Sequence, residues 1–310
     1  MQYRFLFLIF ILVMVASPAF AKKIKAPLMK ADKTWVRKEL TKMGLSKSFV
    51  NEAMKSYEPE SFEKTLTLNL LGFLNPPGQH MNLVTPKAIR EAGNFINENR
   101  DIFRSVESTY NVSPEVISSL LWIETRHGED MGSFHTLSVY MHLLQANLKK
   151  NKQPLTKLAL VKNKNENEYT PKALRKLMAV RTQRKSDWAK EQLIALAAAR
   201  KNKNLDMITL RGSYAGAFGL PQFIPSSYLE YAQSIDDTAP DLQTVEDAIY
   251  SVANYLAKHG WQASADDSKV NALMKYNNSR DYADSILAIS KEVTVGPPGS
   301  KTRALSSSGK

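Results

Sequence analysis

Apolar residues recur at intervals of three and four along most of this chain, and the β-branched alternation that marks strands is scarce. Such a pattern commits the chain to a mainly α fold, in which each helix buries one stripe against its neighbours. With 310 residues and 43% hydrophobic content, there is enough apolar material for one sizeable core or two modest ones. Trp35, Val36, Leu40 and Met43, then Phe49, Val50 and Met54 beyond Gly44 and Ser46, predict a helix pair between Trp35 and Tyr57. Asn75, Pro76, Pro77 and Gly78 read as a turn, and Thr85 before Pro86 reads as the cap and first turn of another helix. Ser113, Pro114 and Glu115 give a second start signal, with the helix expected to end at Gly128. Thr244 is expected to cap a helix that stops at Gly260.

The two ends differ from this pattern. Arg4 precedes an apolar run from Phe5 to Ala16, then Ala19, Phe20 and Ala21 supply a small-x-small site before Lys22. The run is shorter than the roughly 20 apolar residues a membrane span needs. Residues 1–21 therefore read as a secretory signal cut after Ala21, leaving no stable membrane span and placing the mature protein free in an envelope compartment. With no cysteine, neither lipid attachment at a cysteine nor a disulfide framework is available. The Pro, Gly and Ser content of residues 294–310 predicts a disordered tail.

Charge is concentrated in one place. The chain carries +12, yet Lys149 to Lys203 alone holds sixteen Lys or Arg against four Asp or Glu, which leaves the remainder close to neutral. This segment, with an Asn- and Lys-rich loop expected from Lys162 to Asn167 and helix from Pro171, reads as a solvent-facing insertion over residues 149–203. Basicity alone would also fit a nucleic-acid binder, but the secretory signal puts the chain in the wrong compartment for one.

Glu124 is the position with most chemical meaning. Helical spacing sets it on the stripe of Ile117, Leu120 and Leu121. A carboxylate on an apolar face is costly to ionise, and its pKa rises toward the range a general acid needs. An ion pair with Arg126, His127 or a nearby lysine is the structural alternative. From Gly212 to Tyr228 the chain is rich in small residues, with Ser213, Gln222 and aromatics that suit a sugar, though a tight packing turn accounts for them equally well. No phosphate-loop ending is present. Tyr276, Asn277, Ser279 and Tyr282 form a third polar and aromatic group.

These clusters, in this order, resemble the lytic murein transglycosylase B family of periplasmic enzymes. Glu124, Thr125, Arg126, His127 and Gly128 match its Glu-Thr-Arg-x-Gly stretch, while Gly212 to Gly219 and Gln222 to Tyr228 match its glycine-rich stretch. Ser251 to Tyr255, then Gly260 and Trp261, and the pair Tyr276 and Asn277 match further elements. The match is strong over Ser113 to Ile289 and loose from Trp35 to Asn111. The resemblance implies a lysozyme-like helical catalytic domain over residues 112–293 after an N-terminal helical region at 22–111. It implies cleavage of the β-1,4 bond between N-acetylmuramic acid and N-acetylglucosamine in peptidoglycan, closing a 1,6-anhydro ring, with Glu124 as sole acid and base. By the same resemblance Ser213 hydrogen-bonds near Glu124, Gln222 and Asn277 hold N-acetyl sugars, and Phe223, Tyr255, Tyr276 and Tyr282 line the cleft. Glu129 and Asp130, placed by helical geometry, face away from Glu124, as a one-carboxylate mechanism expects.

The chain departs from the family in two ways. Several members carry a calcium loop where Ser234 to Leu242 here lacks both the turn glycine and the alternating Asp, so no metal or other cofactor is expected. The basic segment is the other departure; an anionic envelope polymer or a protein partner is its expected contact. A goose-type lysozyme hydrolase and a non-catalytic peptidoglycan-binding scaffold are the competing readings.

Overall fold

The structure, a computed structural model, describes residues 29–75, 79–166, 168–236 and 238–295. The predicted signal, most of the predicted tail and the three residues after Asn75 lie outside the described residues. Among those described, thirteen α-helices carry nearly all the regular structure, and a two-stranded ladder is the one sheet.

The predicted pair is α1 (Lys33–Lys42) and α2 (Lys47–Lys55), whose cap side chains Asp32 and Ser46 accept from the Trp35 and Phe49 amides. α3 (Phe62–Leu71) follows, then α4 (Pro86–Glu98), where the Thr85 hydroxyl accepts from Ala88 N at 3.1 Å as its cap position predicts. α5 (Arg100–Tyr110) ends on left-handed Asn111. α6 (Pro114–Thr125) is buried at every position from Val116 onward, so it has no solvent stripe at all. It is clasped between α4 and α13 (Arg280–Glu292). α11 (Val245–Lys258), capped by Thr244 through the Asp247 amide, and α12 (Asp266–Tyr276) complete that side. The helices before and after residue 111 share one buried apolar cluster.

On the other side lie α7 (Thr136–Leu144), α8 (Lys149–Glu166), α9 (Pro171–Lys203) and α10 (Pro225–Tyr231). Here the structure corrects the picture of a solvent-facing insertion. Leu155 and Ala159 of α8 and Leu174, Met178, Leu193 and Leu196 of α9 are wholly buried, against α3, α7 and α10. Each such leucine contributes roughly 1.5–3 kcal/mol of burial. Trp188 meets the Tyr140 ring edge-on at 5.4 Å, and Ser186 Oγ donates to Leu144 O at 2.7 Å. The polar run expected as a loop from Lys162 is instead helical through Glu166. Asn163 explains this: it is buried and clamps the returning chain, its Nδ2 donating to Tyr169 O at 2.8 Å while Oδ1 accepts from Tyr169 N at 3.0 Å. No helix among the described residues is long and apolar enough to cross a membrane.

Candidate active site

Glu124 stands in the last turn of α6 and is 7% exposed. The helix ends one residue later, three short of the expected Gly128, because Arg126 and His127 both take left-handed backbone with φ of 52° and 57°. Neither is a glycine, so something must hold them there. The His127 ring stacks flat on Phe95 at 4.0 Å, and its Nε2 lies 2.9 Å from Ser118 O. Burial pushes His127 down to about 4, which keeps the stacked ring neutral. Thr125 ties the turn to the glycine-rich stretch: its Oγ1 donates to Leu220 O at 2.9 Å and accepts from Gly128 N at 3.1 Å.

This reversal has a consequence for Asp130. Helical extrapolation points it away from Glu124, but the chain has left the helix and doubled back, and Asp130 lines the same cavity as Glu124. Glu129 is exposed. The cavity measures about 240 Å³ and is walled by Trp122, Glu124, Arg126, Asp130, Phe134, Ser213, Tyr214 and Gln222, among others. Arg126 does not pair with Glu124; its guanidinium lies over the Trp122 ring at 5.3 Å.

The far wall is built by the ladder of β1 (Phe134–His135) with β2 (Arg211–Gly212), which runs antiparallel and places Ser213 across from the end of α6. Ser213 N donates to Ala217 O at 2.8 Å and its Oγ accepts from Ala217 N at 3.2 Å, closing a tight loop. Gly216 fits that loop where no other residue would, since its φ is 84° and a Cβ would stand 2.5 Å from Tyr140 Cζ. Gln222, at φ 49° and 6% exposed, has its amide nitrogen held by Gly219 O at 3.0 Å and Met131 O at 3.2 Å.

The predicted aromatics assemble beside the acid as a packed cluster. Tyr276 lies 4.7 Å from Tyr255, 5.8 Å from Phe223 and 6.4 Å from Tyr282, ring to ring. Tyr276 donates to Pro221 O at 2.5 Å and Tyr255 to Lys275 O at 2.7 Å. Phe223, Tyr255 and Tyr282 are buried, so they back the cavity wall, whereas Ser213 and Gln222 face the cavity itself. Asn277 is buried at the end of α12, off that wall, with its carbonyl accepting from Ser279 N at 2.6 Å. Tyr282, whose amide is held by the Ser279 hydroxyl at the start of α13, donates its own hydroxyl to Glu124 Oε1 at 2.5 Å.

Burial pushes Glu124 up to about 8, and the Tyr282 hydrogen bond opposes that rise. No ion pair reaches it among the described residues, so the alternative of a paired structural carboxylate is not met. The site can thus present a neutral carboxylic acid near neutral pH, fixed in orientation by a phenol. Sequence reasoning missed Trp122, Tyr214, Phe134 and Asp130 on the wall. Trp122 and Tyr214 flank recognised motifs; nothing local marks Phe134, which arrives through strand pairing. Asp247, in the first turn of α11, accepts from the Ile235 and Asp241 amides at 3.2 and 2.7 Å, so its carboxylate is engaged in holding the loop that precedes the helix. No group of three or more His, Asp or Glu among the described residues is arranged to hold a metal.

Comparison with known proteins bears on this geometry. Residues 29–269 match the sequence pattern of a family described as Transglycosylase SLT domain. Over 179 residues the chain is 27% identical to membrane-bound lytic murein transglycosylase B of Escherichia coli (strain K12), covering 57% of this chain and 40% of that protein. The chain therefore matches well under two-thirds of that relative's length. Soluble lytic transglycosylase SltB1 from Pseudomonas aeruginosa superposes with a TM-score of 0.60 at 19% identity, over 84% of this chain and 97% of that one. The Escherichia coli lytic transglycosylase Slt35, solved in complex with bulgecin A, gives 0.58 at 20% identity over 83% and 90%. SltB3 from Pseudomonas aeruginosa, solved in complex with NAG-NAM-pentapeptide, gives 0.59 at 17% identity over 85% and 79%. At these identities the likeness establishes a common fold.

Proposed function

This chain belongs to the transglycosylase SLT domain family, and from that premise we propose that it is a lytic transglycosylase of the bacterial cell wall. It cuts the β-1,4 bond between N-acetylmuramic acid and N-acetylglucosamine, leaving 1,6-anhydro ends. The observation that carries this reading is Glu124: a buried carboxyl, raised to about 8, on the wall of the cavity and oriented by Tyr282. At neutral pH the acid form gives its proton to the bridging oxygen as the bond to C1 breaks. Tyr282 then stabilises the new carboxylate through its hydrogen bond. That carboxylate takes the proton of the muramic acid C6 hydroxyl while the C6 oxygen bonds to C1. One proton leaves Glu124 and one returns, and no water is consumed. Ser213 and Gln222 on the cavity wall are the proposed sugar contacts, with Asn277, Phe223, Tyr255 and Tyr276 supporting the cleft from behind. Export through residues 1–21 places the enzyme with its substrate in the periplasm.

Asp130 supports one competing reading. Two carboxyls on one cavity are what a hydrolase uses, the second activating water. Digestion of purified sacculi followed by mass spectrometry of the muropeptides separates the two. Anhydro ends that vanish in Glu124→Gln and persist in Asp130→Asn are the expected result. Reducing ends that require Asp130 would establish the hydrolase instead, and release of neither would leave a binding scaffold.

A further inference from the structure

Nine of the sixteen cations of the α8–α9 hairpin fall into two sets with different surroundings. Toward the end of α9, Lys190 and Arg200 are neutralised by Glu39 of α1 and Glu52 of α2. Near the start of α8, Lys150 pairs with Asp32. These serve the fold. By contrast Lys149, Lys157, Lys164, Lys172, Arg175 and Lys176 are exposed and make no ion pair or hydrogen bond among the described residues.

Their placement is regular. Lys149, Lys157 and Lys164 fall within one third of the circumference of α8, along roughly 22 Å of helix. Lys172, Arg175 and Lys176 occupy the outer arc of the first two turns of α9, and both arcs point away from the buried stripes that pack on α3 and α7. Val180, 40% exposed, lies one turn beyond Lys176 on the same arc. The acids of the hairpin's own sequence are Glu166 at the end of α8, Glu168 in the connecting turn, and Asp187 and Glu191 further along α9. None of the six cations lines a described cavity.

We propose that this face docks the protein on an anionic phospholipid surface. Two packed helices that present six unpaired cations along their outer arcs suit a plane of anionic headgroups, which many cations meet at once. Lysine stems can lie along an interface with their ammonium groups among phosphates, and an apolar side chain amid them adds contact. The inference is independent of the chemistry at Glu124.

The test uses the chain from Lys22, which retains every described residue and lacks the apolar run. It is sedimented at low salt with vesicles of phosphatidylcholine containing about 30% phosphatidylglycerol, and with phosphatidylcholine alone. Binding to the first and not the second, lost on raising the salt, is expected. The triple variant Lys157→Gln, Lys172→Gln, Lys176→Gln should bind roughly a hundredfold more weakly, at about fivefold per cation. The exposed control triple Lys55→Gln, Lys258→Gln, Lys291→Gln removes the same charge elsewhere and should bind like the parent; thermal melts confirm that both variants fold. Absence of binding to the anionic vesicles overturns the proposal, as does equal weakening in the control. So does a parent that ignores vesicles but is held on purified sacculi through the same three lysines.

Discussion

At the scale of single residues, the chemistry rests on a carboxyl that folding keeps neutral. Because Glu124 is raised from its ordinary value of 4.5 to about 8, the folded state holds one proton more than the unfolded chain between those two values. Its burial therefore costs nothing below pH 4.5, erodes stability as pH rises, and is fully felt above about 8. Glu124→Gln removes that cost. Its unfolding free energy should equal the parent's near pH 4 and exceed it increasingly toward pH 8, by on the order of a few kcal/mol, as read from denaturant melts at each pH. Tyr282→Phe has the opposite chemical character. Losing the hydrogen bond that lowers Glu124 should lift the acid further, so the alkaline limb of the rate profile moves to higher pH while kcat falls about tenfold or more. An unmoved limb would mean that Tyr282 only packs.

At the scale of elements, the end of α6 decides what the cavity contains. Thr125 is the joint, bonded to Leu220 O across 95 residues of sequence and to the Gly128 amide. Thr125→Val keeps the shape and strands both partners, which should cost roughly 1–3 kcal/mol in denaturant melts and lower kcat more than it raises KM. Such details mark the limit of reading from sequence. The apolar stripe of α6, the caps at Thr85 and Thr244 and the position of Glu124 follow from periodicity and local chemistry. The position of Asp130 does not, because helical projection fails once Arg126 and His127 turn left-handed, a turn held by stacking of His127 on Phe95 of α4, two helices earlier, and by its contact with Ser118 O. The α8–α9 hairpin hides its burial for another reason. Its leucines and Trp188 recur at helical spacing, but a count of charges weighs the outer face and overlooks the inner one. Phe223, Tyr255 and Tyr282 pose a third limit, since residue type gives affinity for sugar rings and for one another alike.

At the scale of the molecule, buried histidines set the acid limit. His127 and His142 are lowered from 6.5 to about 4 and about 3, so both are neutral in the fold and must charge to match the unfolded chain. Their contribution is complete above pH 6.5 and is lost as pH falls toward those values, so the melting temperature of Glu124→Gln, which lacks the opposing change at Glu124, should drop between pH 6 and 4, with the two imidazole NMR signals of the folded protein still those of neutral rings near pH 5.5. A retained melting temperature across that range would contradict the burial of both rings. The hydrogen bond from Tyr282 to Glu124 spans 158 positions, from the last helix to the sixth. Contacts so far apart in sequence close late, and a chain that emerges from its N-terminus holds the acid long before the phenol arrives. Until α13 docks, Glu124 has neither its donor nor the wall that keeps water from it. On the function proposed above, the cutting site is complete only once α13 has arrived, and a nascent chain short of that helix is unarmed.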